Sequence, residues 1–275
     1  MIEFFKMSGS GNDFILIDNW DGGLALENPG MFARALCTRK TSVGADGLIL
    51  IEPSQTAAFR WRFFNADGSE AEMCGNGGRC AARFAVLRNI AGEELSFETQ
   101  AGIIDAAVRR DMVKLRLTDP REMLIHRSIL LEGQSFDLSS INTGVPHAVH
   151  IVNCLDRIDV FHLGRMIRQH ESFQPNGTNA NFVEIVNKHA IRVRTYERGV
   201  EDETLACGTG AVASVLICSW KGLVESPVNV RVRSGEVLRV YFRKSNDGFR
   251  NIYLEGKVKV IYQGLLWAEA YPEAG

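Results

Sequence analysis

A cysteine followed by glycine, a small polar residue and a second glycine occurs twice in this chain. The copies are Cys74–Gly77 (CGNG) and Cys207–Gly210 (CGTG). The stretches that follow, Gly77–Asn89 and Gly210–Lys221, carry Ala, Val, Leu and Ile on nearly every face. A helix that is apolar all round is a buried helix. The sequence therefore predicts two central helices, each enclosed by other elements.

The two copies belong to a longer internal repeat. Cys74 and Cys207 lie 133 residues apart, and the same offset pairs further identical residues. These pairs are Gly44 with Gly177, Glu70 with Glu203, Gly75 with Gly208, Gly77 with Gly210, and Gly102 with Gly235. Glycine recurs where backbone geometry restricts the choice of residue. We therefore expect two similar halves with a seam near Thr118–Glu122. The N-terminal half is residues 1–118, joined by a returning strand at 263–275, and the C-terminal half is residues 119–262.

The rest of the chain reads mainly as short strands. Two stretches have the pattern strand, tight turn, strand: Leu95–Val108 and Val228–Phe242. Such hairpins indicate antiparallel or mixed sheets rather than a doubly wound parallel sheet. Two more helices are predicted at Pro29–Arg39 and Val160–His170. The predicted fold class is α/β of the α+β type, with two pseudo-symmetric domains, each a mixed, largely antiparallel sheet around a central helix.

The amino-acid composition limits the kinds of partner that we expect this chain to bind. The chain has 275 residues, a formal net charge of -2 and scattered Lys and Arg, so we expect neither a nucleic acid nor an anionic membrane as partner. No segment approaches the ~18 apolar residues of a membrane span. The first residues, MIEFFKMSGSGNDF, are too short and too polar for a signal peptide. We therefore expect a cytoplasmic location.

The cysteine spacing separates two chemical thiols from four packing residues. No CxxC pair and no Cys/His zinc spacing occurs, and we expect no metal. A disulfide framework is not expected in a cytosolic chain of this length. The four cysteines outside the repeat motif read as small buried side chains: Cys37, Cys80, Cys154 and Cys218. Three other readings of the motif remain: a phosphate loop, although both common glycine spacings are missing, a redox disulfide, and a zinc site.

A cysteine at the start of a buried helix has predictable chemistry. Free backbone N–H groups and the helix dipole favour negative charge there, so we expect a lowered thiol pKa and a site for a carboxylate. Two such sites facing each other across a cleft between the halves could act on one carbon. One thiolate would remove a proton and the opposite thiol would deliver one, which inverts a stereocentre without a cofactor.

Polar residues occur at corresponding positions before the two cysteine motifs. Asn65 lies nine residues before Cys74, and Arg198 lies nine before Cys207, with Glu197 next to it. Arg198 reads either as a clamp for a substrate carboxylate or as half of a surface salt bridge. His147 reads either as a partner for a thiol or as a structural histidine.

Five segments together resemble the diaminopimelate epimerase family nearly end to end. They are MSGSGNDFILID, FFNADGSEAEMCGNGGRC, TGVPHAV, GTNANFV and YERGVEDETLACGTGA. The resemblance implies interconversion of LL- and meso-diaminopimelate in lysine and peptidoglycan precursor synthesis, without pyridoxal phosphate or another cofactor. It implies that Cys74 takes the proton from the LL isomer and Cys207 from the meso isomer.

The resemblance also implies roles for the surrounding residues. His147 and Glu197 would tune the two thiols, and Tyr262 would lie at a homodimer contact. The substrate-binding residues it implies are Asn12, Asn65, Gly75, Asn76, Asn179, Glu197, Arg198, Gly208 and Thr209.

Two positions depart from the family pattern. Gly47 stands where many members have Gln, and Val145 stands where many have Asn, and both positions contact the far end of the substrate in those members. Proline racemases and hydroxyproline epimerases share the cysteine pair and are the alternative from the same fold. A ligand-binding protein or a redox switch that uses the two cysteines is the alternative from a different class.

Overall fold

The computed structural model describes residues 1–24 and 26–271 of the chain. The chain divides into two compact units. The first contains Met1–Leu115 together with the chain from Gly256 onwards, and the second contains Arg116–Glu255. Long strand β16 (Gly248–Leu266) therefore contributes its first residues to the second unit and the rest to the first.

The first unit is built on a mixed sheet that closes on itself. Its strands run in the order β1-β2-β3-β4-β5-β6-β7-β16, and β16 also pairs with β1. The pairs β2–β3 and β4–β5 are parallel, whereas β1–β2, β3–β4, β5–β6, β6–β7 and β1–β16 are antiparallel. The strands before β16 are β1 (Ile2–Gly9), β2 (Asn12–Asp18), β3 (Gly47–Glu52), β4 (Phe59–Asn65), β5 (Glu94–Thr99), β6 (Gly102–Arg109) and β7 (Met112–Arg116).

Helix α2 (Gly75–Leu87) is enclosed by this sheet. Its buried residues, from Asn76 through Ala85, lie on every side of the helix. A Cβ added at Gly77 would touch Ile49, Trp61 and Phe14, so the helix backbone packs directly on the inner face of the sheet. Helix α1 (Pro29–Cys37) covers the other face, and Asn28 caps its N-terminus.

The second unit repeats this plan. Its strands run in the order β8-β9-β10-β11-β12-β14-β15-β16, with β13 beside β12. Helix α4 (Gly208–Trp220) packs on one face and helix α3 (Val160–Gln169) on the other. The strands are β8 (Arg121–Leu131), β9 (Gln134–Asn142), β10 (Pro146–Ile151), β11 (Asn179–Asn187), β12 (Ala190–Glu197), β13 (Asp202–Glu203), β14 (Val228–Arg231) and β15 (Val237–Ser245).

The predicted fold class is confirmed: both units are mixed, largely antiparallel sheets around a central helix. Both central helices begin two residues earlier than predicted, because the cysteine itself is the N-cap and the glycines form the first helical turn. Their bounds, 75–87 and 208–220, keep the repeat offset. The predicted hairpins form at β5–β6 and β14–β15, and their turn glycines, Gly102 and Gly235, both have positive φ. None of the helices in the described part of the chain is long and apolar enough to cross a bilayer.

Candidate active site

The Cys74 thiol sits at the start of the central helix of the first unit. Cys74 is the N-cap of α2, and its Sγ accepts a hydrogen bond from the Gly77 N–H at 3.5 Å. The side chain is half-buried. A Cβ added at Gly75 would meet nothing within 4 Å, so space is open beside the first turn. The start of α2 thus presents a sulfur and backbone donors to an approaching group.

Asn76, the second residue of this helix, is held by a chain of amide contacts. Its Nδ2 donates to Asn12 Oδ1 at 2.7 Å, and Asn12 Nδ2 donates to Asp46 Oδ2 at 2.9 Å. The Asn76 Oδ1 accepts from Arg79 at 2.8 Å, and Arg79 also donates to Ser10 at 2.6 Å. Each of these two amides has a second N–H besides the one in these bonds.

An ionic cluster lies behind the amides. Lys6 is buried and pairs with Asp13 at 2.8 Å, and Arg39 bridges Asp13 at 2.6 Å and Asp46 at 2.9 Å. Burial acts to raise the pKa of Asp13, but hydrogen bonds from Arg39 and Lys6 overcome it and lower that pKa to about 2. The cluster therefore fixes the Asp46 carboxylate that orients Asn12. Sequence reasoning missed this cluster, because its members are distant in the chain.

Asn65 and Gly47 lie opposite each other on neighbouring strands. They are Cα partners at the ends of β4 and β3, and Asn65 Nδ2 donates to Ser69 at 3.0 Å. A Cβ at Gly47 would stand 2.5 Å from the Phe63 ring and 2.7 Å from the Phe64 carbonyl oxygen. The structure therefore leaves no room for a Gln side chain at position 47, and Phe63 occupies that space.

Cys207 repeats the capping geometry in the second unit. It is the N-cap of α4, and its Sγ accepts from the Gly210 N–H at 3.4 Å and lies 3.6 Å from Thr209 Oγ1. Only 7% of Cys207 is exposed. Burial first, and then the negative charge of Glu197, raise the pKa of its thiol. The expectation of a lowered thiol pKa is therefore wrong for Cys207, where burial outweighs the helix terminus.

Glu197 ends strand β12 beside this thiol. Burial raises the pKa of its carboxyl group, and hydrogen bonds from Thr204 and from the Cys207 thiol oppose the rise. A carboxylate that accepts the thiol proton's hydrogen bond keeps Cys207 protonated at rest. This arrangement suits a proton donor that becomes a base only after it has given up its proton.

His147 is buried at the start of β10. Its Nδ1 lies 3.1 Å from Asn181 Nδ2. Burial and, next, the positive charge of Arg198 lower the pKa of the imidazole to about 3. His147 is therefore neutral at physiological pH, and it is placed next to other polar residues of the sheet rather than alone in an apolar core.

Asn179 links two strand ends. It donates to the Pro146 carbonyl oxygen at 3.1 Å and accepts from the Arg198 backbone N–H at 2.8 Å. The Arg198 side chain donates to the Asn176 carbonyl oxygen at 2.8 Å. Within residues 1–24 and 26–271 no carboxylate lies within ion-pair distance of Arg198.

Other predicted residues lie as follows. Gly208 begins α4, and the Thr209 carbonyl oxygen accepts from Thr143 Oγ1 at 3.1 Å. The Val145 carbonyl oxygen accepts from the Thr143 N–H at 3.2 Å. Tyr262 lies on β16, with its ring edge-to-face on Phe4 at 5.9 Å. Among the described residues no group of His, Cys, Asp and Glu could hold a metal ion.

The second unit contains polar site residues that sequence reasoning missed: Thr143, Asn181, Thr195 and Thr204. A signal for two of them, Asn181 and Thr195, exists in strand alternation. Residues of one face, such as Val149, Val183 and Val193, form the apolar core under α4. Continuing each strand by two residues on that face reaches His147, Asn181 and Thr195. The face thus changes from apolar to polar next to Cys207.

Solved structures of other proteins share this fold. A phenazine biosynthesis protein of the PhzF family from Bacillus anthracis superposes with a TM-score of 0.75 at 18% identity, over 97% of this chain and 99% of that one. A hydroxyproline epimerase from Agrobacterium vitis, with bound trans-4-hydroxy-L-proline, superposes with a TM-score of 0.71 at 16% identity, over 96% and 91%. The fold is therefore that of the two-domain class that includes these proteins.

Sequence comparison identifies the family within that class. The diaminopimelate epimerase family matches residues 4–122 and 139–261. The diaminopimelate epimerase of Aquifex aeolicus is 48% identical over 98% of this chain and 99% of its own length. That of Archaeoglobus fulgidus is 43% identical over 96% of each. The chain belongs to the diaminopimelate epimerase family.

Proposed function

We propose that this protein interconverts LL- and meso-diaminopimelate, with Cys74 and Cys207 as its two bases. One observation, made in both units, carries the proposal. Each unit has a cysteine as the N-cap of its buried central helix. Membership of the diaminopimelate epimerase family supports the substrate. The product is a precursor for lysine and peptidoglycan synthesis.

The proposed reaction balances without a cofactor. The Cys74 thiolate takes the α-proton of the LL isomer, and the electron pair remains on the carbon and its carboxylate. The Cys207 thiol gives its proton to the opposite face of that carbon and is left as a thiolate. Starting from the meso isomer, the two sulfurs exchange roles. The protonated state of Cys207, supported by burial and Glu197, fits the donor in the first direction.

The carboxylate of the reacting centre would be bound at the helix starts. Backbone N–H groups at Gly75, Asn76, Gly208 and Thr209 would donate to it, and they would stabilise the charge that develops during proton removal. Side chains would hold the remaining polar groups of the substrate. These are Asn12, Asn65, Asn179, Glu197 and Arg198.

The far end of the substrate meets a changed surface in this chain. Gly47 and Val145 supply no amide there, and the Phe63 ring fills the space beside Gly47. We expect the inversion chemistry to be unaffected and the recognition of the second amino-acid end to depend on other residues.

The proposal includes a cytoplasmic homodimer. A reducing compartment keeps both thiols available. Tyr262, 45% exposed, would lie at the contact between protomers.

Proton exchange tests the function directly. The reduced protein is incubated in D2O with LL-diaminopimelate, and in parallel with proline and 4-hydroxyproline, and deuterium and stereochemistry are read by mass spectrometry and chiral separation. Deuterated meso product is the expected result. Exchange in the proline substrates alone would move the protein to the proline racemase class, and no exchange in any of them would reject an epimerase.

Cysteine variants test the two-base scheme. Cys74→Ser and Cys207→Ser are each expected to lower epimerisation by about a thousandfold or more, because each removes one of the two proton-transfer groups. Cys154→Ala is the matched control, since this half-buried thiol lies outside both helix starts. Normal turnover in either serine variant would defeat the scheme.

A further inference from the structure

Two buried polar side chains lie together under the start of α4. Asn181 on β11 and Thr195 on β12 are Cα partners, and they are 1% and 4% exposed. Their strands supply apolar residues to the α4 core, so two polar side chains at this place need internal partners. The groups that contact these two side chains include His147 and the first turn of α4.

The backbone fixes which way the Asn181 amide points. Its Nδ2 lies 2.9 Å from the Ala148 carbonyl oxygen, which can only accept. Its Oδ1 lies 2.9 Å from Thr195 Oγ1, which donates. The amide therefore has one orientation, with nitrogen toward β10 and oxygen toward β12.

That orientation determines the tautomer of His147. The same Nδ2 lies 3.1 Å from His147 Nδ1. Because Nδ2 is a donor, Nδ1 must accept, and the single proton of the neutral ring must be on Nε2. The Nε2 atom is buried and has no hydrogen-bond partner among residues 1–24 and 26–271. A buried donor without a partner favours binding of an acceptor.

The oxygen of the Asn181 amide lies against the first turn of α4. A Cβ added at Gly210 would lie 2.3 Å from Asn181 Oδ1 and 3.2 Å from Cys207 Sγ. Asn181 therefore packs against the turn that contains Cys207. The Asn181 side chain thus contacts both His147 and the first turn of α4.

We propose that Asn181, held by Thr195 and the Ala148 carbonyl, is a positioning residue that locks His147 as the Nε2–H tautomer. His147 is then a fixed hydrogen-bond donor and not a proton acceptor. The donor's target, an oxygen of the bound amino acid, rests on the proposed function. The tautomer itself does not, and it can be measured without turnover.

Nitrogen NMR of the imidazoles tests the lock. Protein labelled with 15N-histidine is recorded at pH 7, and the His147 signals are assigned by their loss in His147→Gln. An unprotonated Nδ1 and a protonated Nε2 are expected, and their 15N shifts differ widely. A protonated Nδ1 in the wild-type protein overturns the proposal without any further variant.

Two substitutions separate the lock from general packing. Asn181→Asp keeps the shape but removes the donor, so the proton is expected to move to Nδ1 and kcat to fall about tenfold or more. Thr195→Val removes only the hydroxyl and is expected to leave the tautomer unchanged. If the proton stays on Nε2 in Asn181→Asp, Asn181 is not the lock. If the wild-type protein epimerises diaminopimelate but has the His147 proton on Nδ1, the lock is wrong and the proposed function stands. If it has the proton on Nε2 but does not epimerise diaminopimelate, the proposed function is wrong and the lock stands.

Discussion

At the scale of single residues, one motif produces two different thiols. Cys74 is half-buried, whereas Cys207 is 7% exposed and lies beside Glu197. A helix N-terminus favours an anion by roughly 0.3–1 kcal/mol. Burial of an ionisable group acts by several pKa units, each unit worth about 1.4 kcal/mol. Burial therefore decides the resting state of Cys207, which is the protonated thiol.

The charge of Glu197 contributes to that resting state. Replacing it in Glu197→Gln removes a negative charge, and the thiolate of Cys207 then forms at lower pH, because a like charge no longer opposes it. We expect faster alkylation of Cys207 by iodoacetamide at a given pH, by about tenfold for each unit of pKa lost. Mass spectrometry of the Cys207 peptide measures the rate.

The matched control for this experiment is Glu201→Gln. Glu201 is exposed and accepts a hydrogen bond from Arg168, and it is not among the main groups that shift the Cys207 pKa. Its alkylation profile should equal that of the wild type. An unchanged profile in Glu197→Gln would show that burial alone holds the thiol protonated.

At the scale of elements, the central helices were predictable because their apolar residues lie on every face. The site around them was only partly predictable. Cys74 and Cys207 stand out through the repeat, but Asn181 and Thr195 look like ordinary strand residues. Their importance arises from strand pairing and from contact with α4, which a sequence pattern does not specify. At Val145 and Gly47 the sequence indicates only a departure from the family pattern, whereas the structure shows that Phe63 fills the space beside Gly47.

Two glycines in the first turns of the central helices, Gly75 of α2 and Gly210 of α4, differ in how tightly they are packed. Gly210→Ala places a methyl group 2.3 Å from Asn181 Oδ1, and such overpacking costs about 1–3 kcal/mol. We expect a lower Tm and weaker activity. Gly75→Ala meets nothing within 4 Å, so we expect an unchanged Tm with a raised KM. Thermal melting and steady-state kinetics measure the pair, and equal Tm values would contradict the packing argument.

At the scale of the whole molecule, strand β16 presents apolar side chains to solvent. Its exposed members within the described residues include Ile261, Tyr262 and Leu265, and Trp267 follows directly. Exposed apolar side chains of this kind are typical of interaction surfaces in soluble proteins. A second copy of the chain is the proposed partner of this surface.

Charge placed on this surface should separate the protomers. Tyr262→Glu puts a carboxylate where an aromatic ring is expected to be buried between two copies, and loss of such a ring costs about 2 kcal/mol or more, roughly thirtyfold in Kd. Sedimentation over a range of protein concentrations should show a dimer for the wild type and a monomer for the variant. Leu130→Glu, which changes an exposed residue on β8, should remain dimeric. If the wild type sediments as a monomer, or if both variants behave alike, β16 is not the contact.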